Sequence, residues 1–124
     1  MTASHQAQAI GRKAESYVKD CLEKAGWTIV ARNYRGRSFE LDLVMIDQKN
    51  LVVVEVKYRK STSVISELLP QSKKNALKTG VRHFLSSHYR NRAGPDSIRL
   101  DLALVSGLPP QFFCHYFTDA AELS

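Results

Sequence analysis

Apolar positions recur along this chain first with helical spacing, then in short β-rich runs, then helically again. From about Ser4 to Ala25, the residues Ala7, Ile10, Ala14, Val18, Cys21, Leu22 and Ala25 fall on one stripe, which predicts an amphipathic helix. Gly26 stands where a C-cap belongs. Trp27 to Asn33 reads as a first strand and Tyr34 to Ser38 as a basic loop centred on Gly36. The runs Glu40 to Ile46 and Leu51 to Tyr58 are rich in Val, Leu and Ile, and Asp47-Gln48-Lys49-Asn50 between them predicts a hairpin turn. Ser61 to Leu69, polar and then apolar, predicts a mobile loop. Pro70 to about Tyr89 is helical again, with Leu77, Val81, Phe84, Leu85 and His88 on its buried stripe and Pro70 in the first turn. Gly94-Pro95-Asp96 marks a turn, Ile98 to Val105 a strand, and Gly107-Leu108-Pro109-Pro110 a break before a last edge strand, Gln111 to Phe117.

That order predicts an α/β fold with an αβββαβ core, a mixed sheet flanked by two helices. The second helix would carry the chain between parallel strands as a right-handed crossover. No repeat or linker divides residues 1–124, and the length suffices for one domain around one core.

The hairpin makes the charged residues informative. If Ile46 pairs with Leu51, then Val44 faces Val53, Asp42 faces Glu55 and Glu40 faces Lys57. Alternation puts these four charged residues on one face, with Leu41, Leu43 and Met45 on the other. Directly opposed residues are about 4.5–5.5 Å apart at Cβ, where like charges destabilise each other. Asp is also disfavoured in strands, so an ionised Asp42 in an apolar hairpin needs a partner or must take up a proton. The partner is either a cation bound between Asp42 and Glu55 or a lysine or arginine nearby, and spacing leaves both open. Glu15 sits about a quarter turn from the centre of its helix's apolar stripe, where it can reach over the sheet or pair with Arg12 or Lys19.

Composition changes the picture in one respect. The chain carries a net charge of +6. Arg32, Arg35, Arg37, Lys57, Arg59 and Lys60 flank the acidic cluster, and Lys73, Lys74, Lys78 and Arg82 lie on one later segment. Such a surround suits a polyanion, because Lys and Arg neutralise phosphates and release counterions. The apolar runs are too short to span a bilayer and no signal-peptide stretch opens the chain, which makes a cytoplasmic protein the expectation. Cys21 and Cys114 lack metal-ligand spacing and read as small core residues.

If a metal is bound, the hard oxygens of Asp42 and Glu55 select magnesium or manganese, with the Val56 carbonyl as a further donor. A metal-bound water is then the nucleophile, and Lys57 holds it or helps deprotonate it.

Several ordered motifs resemble the bacterial YraN-type family, assigned to the restriction-endonuclease-like (PD-(D/E)XK) fold. They are Gly11-Arg12-Lys13-Ala14-Glu15, Ala31-Arg32-Asn33-Tyr34-Arg35, Glu40-Leu41-Asp42-Leu43-Val44, Val54-Glu55-Val56-Lys57-Tyr58-Arg59, Lys73 with Leu77, and Arg99-Leu100-Asp101. The layout is also similar to archaeal Holliday-junction resolvases, which place a helix-one glutamate beside an aspartate and an ExK strand. The resemblance implies a magnesium- or manganese-dependent nuclease. Glu15, Asp42 and Glu55 would hold metal and Lys57 would complete the catalytic set. Arg32, Arg35, Arg37, Arg59 and Lys73 would bind nucleic acid, DNA more than RNA. Two departures touch the mouth of the site: Phe39 stands where the family has glycine, and no glycine turn follows Arg59.

The alternatives are a non-catalytic nucleic-acid-binding module on the same fold and a basic protein-interaction domain. A homodimer would suit cleavage of both strands of a duplex, although the sequence marks no interface. His83, His88 and His115 lack partners at ligand spacing, Trp27 and Tyr58 read as packing aromatics, and Asp101 reads as a structural acid beside Arg99. Tyr34, in its basic loop, is the aromatic best placed to stack on a base.

Overall fold

Gly26 ends the first helix because it adopts φ 99°, a left-handed conformation that lets its amide reach back to the Glu23 carbonyl at 3.0 Å. The computed structural model describes residues 3–59 and 65–122. Its elements are α1 (Ala3–Lys24), β1 (Thr28–Arg35), β2 (Glu40–Asp47), β3 (Asn50–Tyr58), α2 (Ile65–Leu68), α3 (Gln71–His88), β4 (Ser97–Leu108) and β5 (Gln111–Ala121). The strands form one sheet in the order β1-β2-β3-β4-β5, parallel between β3 and β4 and antiparallel elsewhere. This is the expected mixed sheet with its αβββαβ order, closed by one further edge strand.

Two separate cores explain why the central strands are apolar on both faces. Under α3, Leu77, Val81 and Phe84 pack on Leu41, Val44, Val53 and Leu102. Under α1, Ala14 and Val18 pack on Leu43, Met45, Val52 and Val54. The α1 stripe is narrower than its spacing suggested, since Ala7, Cys21 and Ala25 are exposed. Cys21 is therefore not a core residue, and Cys114 is only half-buried.

Three further expectations are corrected. Asp47 and Asn50 pair as strand residues, so the β2–β3 turn shrinks to Gln48-Lys49, with Gln48 at φ 60°. Gly107 does not end β4, which runs on to Leu108, and the turn is Pro109-Pro110. Of the loop expected over Ser61 to Leu69, residues 61–64 lie outside the described residues; the rest holds α2, and Leu68 and Leu69 are buried under α3.

Within β4 a buried acid, opposite Val54 in register, ties the strand to the edge strand β5. Asp101 accepts two bonds from the Arg99 guanidinium at 2.8 and 2.9 Å, one from the Tyr116 hydroxyl at 2.6 Å and one from the Asp119 amide at 2.9 Å. The Arg99 guanidinium also lies 5.6 Å from the Trp27 ring centre. Asp101 and Trp27 thus have the structural roles their positions suggested.

Candidate active site

The hairpin register is the one counted from the turn, with Ile46 opposite Leu51 and Val44 opposite Val53. The ladder stops at Leu43 and Val54, although β2 begins at Glu40 and β3 runs to Tyr58. At that point the Asp42 carboxylate, through Oδ2, accepts the Val56 amide at 2.9 Å. A side chain has taken the place of a strand carbonyl, and the two strands part around it.

The same point breaks the alternation of faces. Leu41 lies in the core under α3, as does Val44, whereas Leu43 and Met45 lie in the core under α1. The expectation that Leu41, Leu43 and Met45 share one face therefore fails. So does the expectation that Glu40 faces Lys57. Glu40 pairs with Arg35 at 3.1 Å, while Lys57 lies 3.3 Å from Glu55. On β1 Asn33 takes φ 53°, a left-handed conformation that Asn tolerates better than most residues, and its neighbours Arg32 and Tyr34 turn to opposite helices.

Asp42 is consequently reached from both sides of the sheet. Burial, the neighbouring Glu55 and, more weakly, Glu15 push its carboxyl up from about 3.8 to about 8; the Val56 amide and Lys73 act in the opposite direction. Glu55 is almost wholly buried. Its Oε1 faces Lys57 and Lys73, each at 3.3 Å, and its Oε2 has no hydrogen-bond partner among the described residues. Glu15 projects from α1 and is raised by burial, with Glu40 and Glu55 adding to the rise and Asn33 and Arg32 opposing it. Arg32 lies 3.8 Å from Glu15 and is anchored to α1 through Ser16 at 2.8 Å and the Arg12 carbonyl at 3.0 Å. The partners suggested for Glu15 were Arg12 and Lys19; Lys19 is instead engaged by Glu23 at 2.8 Å.

The structure thus brings Glu15, Asp42, Glu55, Lys57 and Lys73 to one end of the sheet, with Arg32 behind Glu15. Arg35, paired with Glu40 at 3.1 Å, Arg37, and Arg59, which shares a cleft with Lys57, are exposed. Asn33 was missed by sequence reasoning. Turned so that its amide donates, its nitrogen lies 3.2 Å from Glu15 Oε1 and 3.3 Å from Glu40 Oε1. An asparagine inside a strand-like run was the available signal. Tyr34 is part of β1, not of a loop, and its hydroxyl meets His83 Nδ1 at 2.6 Å while its ring packs on Phe84. It is committed to the α3 interface, and His83 takes the helix-packing role expected of it. Phe39 stacks on Tyr34 and tilts against His83, with ring centres 5.9 and 5.3 Å away, the three rings meeting in a triangle.

Among the described residues, no three His, Cys, Asp or Glu side chains converge closely enough to form a metal-ligand group. Two carboxylates do crowd together, one drawn towards its protonated form and the other with an unpartnered buried oxygen. That donor set is hard and anionic, and it fits a magnesium-type ion that keeps several waters.

The fold and site define a basic mixed α/β domain with a buried acidic pair where two strands part, flanked by lysines. The chain belongs to Uncharacterised protein family UPF0102, the YraN-type family, whose profile matches residues 14–105. A UPF0102 protein of Carboxydothermus hydrogenoformans is 28% identical over 115 residues, covering 91% of this chain and 95% of the relative. One of Colwellia psychrerythraea is 33% identical over 99 residues, covering 78% and 76%. Among solved structures, a fdxN element excision controlling factor protein from Anabaena variabilis aligns with TM-score 0.44 and 17% identity, covering 86% of this chain and 98% of that one. That likeness is too loose to argue from. No helix among the described residues is long and apolar enough to cross a membrane.

Proposed function

We propose that this protein is a divalent-metal-dependent nuclease that hydrolyses phosphodiester bonds in DNA, with branched or structured DNA as its substrate. The observation that carries the reading is the Asp42–Glu55 pair. A carboxylate pushed up to about 8 beside a buried glutamate with an idle oxygen is an unstable arrangement that a cation relieves. The restriction-endonuclease-like motifs on the same strands support it.

Asp42 and Glu55 would hold a magnesium or manganese ion, with the Val56 carbonyl beside them and Glu15 at the edge. When bound, that ion supplies an acidified water and a counter-charge for the phosphate. Lys57, already 3.3 Å from Glu55, would orient the attacking water and offset the charge growing on the phosphate oxygens. Asn33 and Arg32 keep Glu15 in place. Exposed Arg35, Arg37 and Arg59 would grip the flanking phosphates.

The non-catalytic nucleic-acid-binding reading draws on a different observation: Lys57 and Lys73 already give Glu55 two positive neighbours. Calorimetry with magnesium and manganese separates the two, comparing wild type with Asp42→Asn and following cleavage of labelled branched and linear DNA in the same samples. The nuclease reading expects metal binding and cleavage, both lost in the variant. Wild-type protein that binds DNA but neither binds metal nor cuts would leave the binding module.

A further inference from the structure

Gly11 lies inside α1, where a glycine weakens a helix relative to alanine, and no contact among the described residues calls for it. The contrast is Gly80 in α3, where an added β-carbon would come within 2.8 Å of Phe39 and 2.9 Å of Leu41. At Gly11 it would meet no atom of the described residues within 4 Å. Gly11 instead lines a cleft of about 670 Å³ between α1 and the end of β3, together with Ile10, Lys57, Tyr58 and Arg59.

A second cleft of about 690 Å³ lies between α1 and the Pro109-Pro110 turn, lined by Arg12, Lys13, Tyr17 and Phe112 among others. The two are neighbours, since the Tyr58 and Phe112 rings meet at 6.2 Å, with Tyr17 5.5 Å beyond Phe112. Tyr58 is fixed by its hydroxyl, which donates to the Gly107 carbonyl. Asp20, the acid among the described residues lining these clefts, lies 3.2 Å from Lys19, which it shares with Glu23.

We propose that this seam is a binding channel for single-stranded nucleic acid, running from Lys57 over Gly11 to the Tyr17–Phe112 ring pair. Cations along a groove follow a phosphate backbone, and aromatic faces stack on bases of any sequence, provided the bases are not already stacked in a duplex. The bare backbone at Gly11 gives the strand close approach beside Lys57. Resting on the nuclease reading, the channel makes the substrate of the Asp42–Glu55 site a nucleic acid with a single-stranded arm.

The test is fluorescence anisotropy of a labelled oligodeoxythymidine in EDTA, against a duplex of equal length, with cleavage assayed separately in magnesium. Wild type is expected to prefer the single strand. Gly11→Leu should lose about tenfold or more in affinity while its thermal midpoint holds or rises, because leucine is the better helix former. Phe112→Leu keeps apolar bulk without the ring and should lose about fivefold or more. Equal or no affinity for single strand over duplex in the wild type, or unchanged affinity in both channel variants, would overturn the proposal. Affinity that falls in the channel variants of a protein that never cuts would keep the channel and remove the nuclease.

Discussion

Lys73 Nζ, carried by α3, lies 3.3 Å from the same Glu55 oxygen that Lys57 approaches from β3. A helix on one face of the sheet therefore neutralises a carboxylate buried in its middle strand. Removing one cation from a buried pair leaves the partner charge under-compensated. Lys73→Ala is expected to destabilise the metal-free protein by about 1–3 kcal/mol, towards the low end because Lys57 remains and Lys73 is partly exposed. Magnesium should shrink that deficit if Glu55 is a metal ligand. Thermal unfolding with and without magnesium checks it; an equal deficit in both would separate Lys73 from the metal site.

Asp42 gives the metal-free protein a pH dependence of definite sign. Its folded carboxyl titrates at about 8 against about 3.8 ordinarily, so the folded state binds the proton more tightly than the unfolded chain. The resulting stability is fully present below about pH 4 and is lost as pH rises towards about 8, with a slope of at most about 1.4 kcal/mol per pH unit for one proton. Asp42→Asn should flatten the curve between about pH 5 and 8. Metal binding near neutrality should also release a proton, visible as a buffer-dependent calorimetric enthalpy. Parallel pH curves for wild type and variant would refute the assignment.

Phe39 occupies space that two glycines leave open. A β-carbon on Gly36 would fall inside van der Waals contact with the Phe39 ring, which is hemmed in by Tyr34, His83 and Gly80. Gly36→Ala should cost about 1–3 kcal/mol by overpacking. In a Phe39→Ala background the same change should cost almost nothing, giving a coupling energy in a double-mutant cycle. Additive effects would show that the ring simply moves aside.

Much of the architecture was legible because it follows from local rules. The Val-, Leu- and Ile-rich runs and the turn between them set the β2–β3 register, and the register placed Asp42 and Glu55 together where the strands part. The 3.6-residue spacing of Leu77, Val81 and Phe84 marked the buried side of α3. What failed did so where a local rule was interrupted. Period-two alternation carries only along a regular strand, and it is broken where Asp42 takes the Val56 amide and Asn33 turns left-handed. Glu40 was thereby sent to Arg35, and Tyr34 to His83.

The sequence by itself determined which residues could hold charge at the sheet's end, because an acid in an apolar strand and a lysine two residues after its neighbour are visible in one dimension. Tertiary structure alone decided what surrounds them: Lys73 on Glu55, Arg32 behind Glu15, and the cleft that Gly11 lines beside Lys57. Those contacts depend on how two helices cross opposite faces of one sheet, a relation between distant segments that no local periodicity encodes.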